Sequence, residues 1–109
     1  MVLSGYKAMW LMTLFDLPTI TKKQRKAYTV FRKHLIEDGF QMIQYSTYIR
    51  PCPSEENTDV HLNRIKANLP PEGSIRAFKF TDKQYERSFS FTAGKSVSKE
   101  PIVEQLELF

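Results

Sequence analysis

The stretch KAMWLMTLFD, residues 7–16, is the strongest indication of the fold, because it is a hydrophobic run of strand length that ends in an acid. The alternation of a strand puts Met9, Leu11 and Phe15 on one face and Trp10, Met12 and Leu14 on the other. Both faces are apolar, which predicts a central strand that is covered on both sides. In a chain of 109 residues helices can cover only one face. A second copy of the chain is the simplest cover for the other, so a homodimer is expected.

The next segments predict helices and strands in alternation. Pro18 ends the first strand, and Thr19 or Thr21 caps a helix that runs to about Asp38 and stops at Gly39. Residues 40–50 predict extended structure, divided by a bend into two short strands. A second helix, capped by Ser54, extends to about Leu69. Two further strands are predicted over residues 75–81 and 84–91, around a turn at residues 82 and 83.

This order predicts an α/β fold, a ferredoxin-like βαββαβ sandwich over residues 1–92. Residues 93–109 are expected to form a flexible linker and an additional C-terminal strand. A strand beyond a linker needs a sheet edge, which its own sheet, the partner protomer or another protein could provide.

Composition narrows the class of protein. A hydrophobic content of 41% and an aromatic content of 13% are typical of one folded domain. The net charge of +4 is consistent with a polyanionic partner. One cysteine, Cys52, cannot build a disulfide framework or a cysteine-based zinc site. No apolar stretch is long enough to span a bilayer, so we expect a cytoplasmic protein with no membrane partner.

Asp16 is the acid in the most conspicuous place. It directly follows the hydrophobic strand, at the carboxyl end where α/β proteins often place their sites. One interpretation is a turn residue that caps the next helix. The other is a ligand of Mg²⁺, which takes one or two carboxylates together with water and phosphate oxygens. A two-fold dimer could bring two copies of Asp16 to one ion.

The first helix has a basic face opposite its predicted apolar face, which consists of Ala27, Val30, Phe31 and Leu35. No acid lies between Lys22 and Lys33 to neutralise it within the helix. It is either a solvated surface or a surface for nucleic-acid phosphates. Arg76 and Lys79, on one strand, and Arg87, on its neighbour, could extend it. The candidate nucleic-acid-binding residues are Lys22, Lys23, Arg25, Lys26, Arg32, Lys33 and Arg76.

Other reactive residue types are better explained as structural. His34 lies on the apolar side of the first helix, and His61 lies on the second helix at core spacing. Cys52 has no histidine partner that the sequence identifies, and the four glycines do not form a phosphate-binding loop.

Several motifs together resemble the CRISPR-associated protein Cas2 family. They are the strand ending in Phe15-Asp16-Leu17, the basic run over residues 22–26, Gly39 at the helix end, and the sequence QYSTY over residues 44–48. The resemblance runs in order from about Met9 to Phe91 and is most like the versions found in type II systems.

The resemblance implies a homodimer that bridges dimers of the Cas1 integrase and holds double-stranded prespacer DNA during spacer acquisition. It also implies a metal-dependent endonuclease activity on RNA or DNA, with single-stranded RNA among the substrates. Asp16 of both protomers would then be catalytic and would share one Mg²⁺ per dimer. The basic residues would face the DNA backbone, and the C-terminal strand would help to dock Cas1. Many members have a glutamate where this chain has Ile49 and Arg50, which removes an acid from near that site.

A third hypothesis is a toxin-type, metal-dependent ribonuclease with the same fold that acts on messenger RNA. The fold alone does not separate it from the CRISPR hypothesis.

Overall fold

The computed structural model describes residues 8–94. These residues form four strands and three helices. In chain order they are β1 (Met9–Asp16), α1 (Lys22–Glu37), β2 (Gln41–Gln44), β3 (Thr47–Cys52), α2 (Glu55–Ala67), β4 (Ser74–Thr81) and the short α3 (Asp82–Glu86). The predicted strand at the C-terminus lies outside the described residues, and the boundary at residue 92 stays a prediction.

The strands form one antiparallel sheet in the order β2-β3-β1-β4. Two βαβ-type halves interlock in this order, with β1 and β3 at the centre. The order and the βαββαβ succession confirm the ferredoxin-like sandwich. β1 is central, as its two apolar faces predict.

The two long helices pack on one face of the sheet, here called the helix face. Phe31 and Leu35 of α1 and Ile65 of α2 form a buried cluster with Leu11 and Phe15 of β1. Burying side chains of this size contributes about 1.5–3 kcal/mol each. α1 is capped by Thr21 and not by Thr19, with a capping box to Gln24. It ends before Gly39, whose φ of +91° suits glycine.

One expectation about the long helices is wrong, and the predicted end of α2 is close to the observed one. The helical pattern puts Val30 on the apolar face of α1, yet 58% of it is exposed. Leu69 lies beyond the end of α2 and is 54% exposed, because Asn68 ends that helix. The buried stripe of α1 is therefore narrower than its sequence suggests.

The opposite face of the sheet, here called the open face, carries a smaller cluster. Trp10, Ile49 and Tyr85 are buried there, with Met12, Ile43 and Phe80 packed against them. Tyr85 comes from α3 and stacks on Trp10 at a ring-centroid distance of 4.8 Å. Phe78 remains 43% exposed.

The prediction of a strand over residues 84–91 is wrong. Residues 82–86 are helical, because Thr81 and Gln84 cap this turn reciprocally. Residues 88–92 have no regular structure. Of the alternating aromatic residues that suggest a strand, only Tyr85 is buried, so they do not form the buried face of a strand.

Candidate functional site

Asp16 is the last residue of β1, and its side chain is exposed. Alternation along β1 puts it on the open face, on the side of Trp10 and Met12. Its partner across the β1–β4 ladder is Ser74, the first residue of β4. A carboxylate and a hydroxyl therefore lie side by side where β1 ends and β4 begins, and both face solvent.

A hydrogen bond, the burial of Leu17 and the close approach of Gly73 fix the backbone on both sides of Asp16. The Phe15 N–H donates to the Ser46 carbonyl at 3.1 Å, and Leu17 is buried. Gly73 lies so close that a Cβ there would be 2.7 Å from the Asp16 carbonyl oxygen and 2.5 Å from Leu17 Cδ2. Gly73 also has a φ of +102°. In the sequence Gly73 indicates only a helix break, and no local pattern signals this contact.

The turn that touches Phe15 is the β2–β3 hairpin turn at Tyr45 and Ser46. Ser46 has a φ of +59°, which is uncommon for a residue with a side chain. Its hydroxyl is hydrogen-bonded to the Tyr28 hydroxyl of α1 at 3.1 Å. The strained turn is thus held by the helix, and it stands next to Asp16.

Asp16 has the properties of an available metal ligand. Within residues 8–94 its carboxylate makes no hydrogen bond and no ion pair, so no partner competes for its oxygens. The same residues hold no group of three or more His, Cys, Asp or Glu side chains that could bind a metal. Within that part of the chain, Asp16 therefore does not belong to a cluster of side chains that could hold Mg²⁺ without other ligands. That fits an open site in which water, substrate phosphate or a second protomer supplies the other oxygens.

The basic face of α1 is exposed and uncompensated. Each residue in the following list is exposed and has no ion pair within the described residues: Lys22, Lys23, Lys26, Arg32 and Lys33. The first turn of α1 has no acid, although cations at a helix N-terminus oppose the helix dipole by about 0.3–1 kcal/mol each. α2 has the opposite arrangement, with Glu55 and Glu56 in its first turn.

Arg25 differs from the rest of this face, because it has a local structural role. One of its terminal nitrogens donates to the carbonyls of Thr19 and Ile20 at 3.2 and 2.6 Å. It therefore braces the loop that leads from Asp16 into α1. Its other guanidinium donors remain available for a ligand.

Arg76 does not join the α1 surface. It pairs with Leu14 in the β1–β4 ladder, so it lies on the open face, as Asp16 does. Arg76 is exposed. The basic residues thus form two surfaces in one protomer: the outer side of α1, and the open face near Asp16.

The expectation that Lys79 extends the basic surface is wrong. Lys79 points to the helix face, where its ammonium donates to Asp59 at 3.0 Å and Glu55 at 3.4 Å. The hydrogen bond to Asp59 is the main cause of the raised pKa of Lys79. The positive charge of Lys79 is therefore paired with carboxylates of α2 and links that helix to β4. Arg87 is exposed at the C-cap of α3.

His61 is structural, as expected. It is 3% exposed, and its Nδ1 lies 2.8 Å from a carboxylate oxygen of Asp38. Asp38 also accepts a hydrogen bond from Arg64 at 2.6 Å, and Arg50 donates to the His61 ring. Burial raises the pKa of Asp38, but the bonds from His61 and Arg64 outweigh burial and leave it below its ordinary value of 3.8. Sequence patterns do not reveal this role of Asp38, because its partners are distant in the chain.

Comparisons with known proteins place the chain in a family. The family model described as CRISPR associated protein Cas2 matches residues 9–88. A CRISPR-associated endoribonuclease Cas2 from Flavobacterium psychrophilum is 46% identical over 107 residues, covering 98% of this chain and 93% of that protein. Its counterpart from Paracidovorax avenae is 44% identical over 108 residues, covering 99% of this chain and 100% of that protein. A solved structure titled "Crystal structure of cas2" is 12% identical, with a TM-score of 0.49, over 84% of this chain and 95% of that chain.

The fold and the site define a small ferredoxin-like protein that displays an acid at the end of its first strand and a basic first helix. The chain belongs to the CRISPR-associated Cas2 family. Its role is therefore a CRISPR-related one, which favours this hypothesis over the toxin-type ribonuclease. No helix in residues 8–94 has the length and apolar character that crossing a membrane requires.

Proposed function

We propose that this chain is a spacer-acquisition subunit, a homodimer that bridges two Cas1 integrase dimers and holds double-stranded prespacer DNA. The basic face of α1 is the observation that carries the proposal. Cations at the N-terminus of a helix lower its stability. Because these cations have no acidic partners in the helix, we infer that they bind an external anion. Phosphates of a duplex, spaced along both strands, are anions that such a surface can bind without reading sequence.

The open face of the sheet supports the homodimer. Phe78 is exposed, and Met12 and Leu14 are only partly buried, so apolar surface remains after α3 has covered Trp10. A second copy would cover this surface. The two-fold axis of this dimer could bring two Asp16 carboxylates together and so supply the second carboxylate ligand that Asp16 alone does not provide.

The second part of the proposal is a Mg²⁺-dependent phosphodiesterase activity at Asp16. Relatives at 44–46% identity are named endoribonucleases, which favours RNA as a substrate class. A bound metal would supply a polarised phosphate oxygen and a more acidic water. In this chain, Asp16 would hold the ion, and Arg76 on the same face would hold a neighbouring phosphate. The contacts of Gly73 and Ser46 would keep the Asp16 backbone in place.

One experiment separates the two roles. Asp16→Asn should abolish Mg²⁺-dependent RNA cleavage and leave retention of duplex DNA by the Cas1 complex within about twofold, because the amide removes only the ligand charge. The double variant Lys22→Glu/Lys26→Glu should weaken duplex retention by about tenfold or more and lower its salt dependence by about two counterions. Both properties are measured on the same preparations, by gel-based cleavage and by anisotropy across a salt series.

The charge-reversal variant carries an internal control for folding. Two acids near the start of α1 match the helix dipole, so the variant should unfold in urea no earlier than the unmodified chain. Lys66→Glu, near the end of α2, is a matched surface reversal away from the basic face and should leave duplex retention unchanged. Undiminished retention in the α1 variant would show that this face is merely solvated. Equal loss of cleavage and retention in Asp16→Asn would refute the separation of roles.

A further inference from the structure

A groove between α1 and the β2–β3 turn combines the features of a site for an unpaired nucleotide. It has a volume of about 300 Å³ and is lined by Thr19, Arg25, Tyr28, Thr29 and Tyr45. Thr19 belongs to the loop that follows Asp16, and Tyr45 belongs to the hairpin turn whose neighbour Ser46 bonds to Phe15. Both segments lead to the backbone around Asp16, whose own side chain lies on the open face and is not among the residues that line the groove.

Tyr45 offers a largely exposed aromatic ring at one wall of the groove. It is 74% exposed, which is unusual for a large ring. Its ring stacks on Tyr28 with centroids 6.2 Å apart and planes 20° apart, so one side is supported and the other faces solvent. Tyr28 is itself held by its hydroxyl contact with Ser46 at 3.1 Å.

Arg25 supplies the charge at the other wall of the groove. Its bonds to the Thr19 and Ile20 carbonyls use one terminal nitrogen and hold the guanidinium in a fixed orientation. The remaining donors can bind a phosphate oxygen without further ordering of the side chain. An aromatic platform next to a fixed guanidinium is the combination by which proteins bind single strands.

We infer that Tyr45, supported by Tyr28, and Arg25 form a subsite for one unpaired nucleotide, with its base stacked on Tyr45 and its phosphate on Arg25. The inference rests on the proposed function and deepens it. A paired base is stacked inside its duplex and cannot reach Tyr45, so the subsite favours single-stranded RNA or DNA, or a frayed end. The basic face of α1, by contrast, needs no unpaired base.

The test compares Tyr45→Ala with Tyr45→Phe, which keeps the ring. The probes are a labelled single-stranded oligothymidine and a blunt duplex of the same length, each measured by anisotropy at one fixed salt concentration. Because stacking on one aromatic side chain is worth about 1–3 kcal/mol, Tyr45→Ala should weaken single-strand binding by about tenfold. Tyr45→Phe should stay within about twofold, and neither variant should change duplex binding by more than about twofold.

Each other outcome overturns the subsite. Unchanged single-strand binding by Tyr45→Ala, or a similar loss for Tyr45→Phe and Tyr45→Ala, removes stacking as the source of binding. An equal loss on single strand and duplex would make Tyr45 a general contact. If Tyr45→Ala has no effect while Lys22→Glu/Lys26→Glu still weakens duplex binding, the subsite fails and the proposed function stands. If the unmodified chain does not bind the single strand, the subsite fails, while the proposed function is judged by duplex retention in the Cas1 complex.

Discussion

Among single residues, the one on which the candidate site most depends is a glycine that carries no chemistry. Gly73 lets the start of β4 approach the backbone of Asp16 and Leu17, with distances that leave no space for a methyl group. Its φ of +102° also lies in a region that side-chain-bearing residues avoid. The position of the Asp16 carboxylate is therefore set by a close approach of two backbone segments.

Gly73→Ala should destabilise the protein by at least about 2 kcal/mol, because backbone strain and overpacking add. The obstructing atoms include the Asp16 carbonyl oxygen, which cannot rotate away as a side chain could. The measurement is the free energy of unfolding from urea titration, together with Mg²⁺-dependent cleavage, which should fall as Asp16 shifts.

Gly39→Ala is the matched control. Gly39 also has a positive φ, of +91°, but the nearest atoms that a Cβ there would meet belong to the Arg50 guanidinium at 3.3 Å and not to the backbone. Its cost should be close to that of the backbone conformation alone, about 1–2 kcal/mol. A Gly73→Ala variant no less stable than Gly39→Ala would refute the close approach.

Among the helices and strands, α3 replaces a predicted strand and changes what the open face presents. Thr81 and Gln84 cap this single turn of helix, and the indole N–H of Trp10 donates to Asp82 at 2.7 Å. Tyr85 then covers Trp10. Local capping chemistry and one tertiary contact override a β-type pattern of aromatic residues here.

Tyr85→Ala should cost about 3 kcal/mol of unfolding free energy, because it removes a buried ring from the Trp10 stack. Trp10 is the single tryptophan of the sequence, so its fluorescence reports this change directly. We expect the emission to shift to longer wavelength as water reaches the indole.

Tyr85→Phe is the control that keeps the ring. Burial raises the pKa of the Tyr85 phenol, and within the described residues its hydroxyl has no hydrogen-bond partner. Removing the hydroxyl should therefore be neutral or slightly stabilising, with unchanged emission. If Tyr85→Phe were as destabilising as Tyr85→Ala, the hydroxyl and not the stack would hold α3 in place.

Across the molecule as a whole, a polar network joins both long helices to the sheet. Asp38 ends α1, His61 and Arg64 lie on α2, and Arg50 lies on β3. The side chain of Asp38 is 7% exposed, so its carboxylate depends on these partners for its solvation. The network fixes the helix layer at the end of α1.

Asp38→Asn should destabilise the protein by about 2 kcal/mol near neutral pH, because charge-assisted hydrogen bonds are lost from a buried carboxylate. The pKa of Asp38 in the folded state lies below 3.8, so folding favours the ionised form. This contribution is complete above the unfolded pKa and is lost as the pH falls through the folded pKa. The difference between the two proteins should therefore narrow in acid.

Urea unfolding of both proteins at neutral pH and at about pH 3 measures the effect. Asp59→Asn is the control, since the Asp59 side chain is 62% exposed in its pair with Lys79, and it should be much milder at neutral pH. A constant difference between Asp38→Asn and the unmodified chain at all pH values would show that the carboxylate charge is irrelevant to stability.

Local sequence patterns account for most of the architecture. The apolar run of β1 predicts a central strand, and the caps and breakers around α1 and α2 locate both helices, because hydrophobic period and capping are local properties. Asp16 and the basic face of α1 are found in the same way. The motifs around Asp16 and over residues 44–48 indicate the Cas2 family from the order of the residues alone.

Cooperation between distant residues, in contrast, is a property of the folded chain. Folding puts Gly73 and the Ser46 turn against Asp16, stacks Tyr45 on Tyr28, and directs Arg76 and Lys79 away from the α1 surface. These relations join segments that are far apart in sequence. No local pattern encodes them, because strand register and helix packing set them only when the chain is folded.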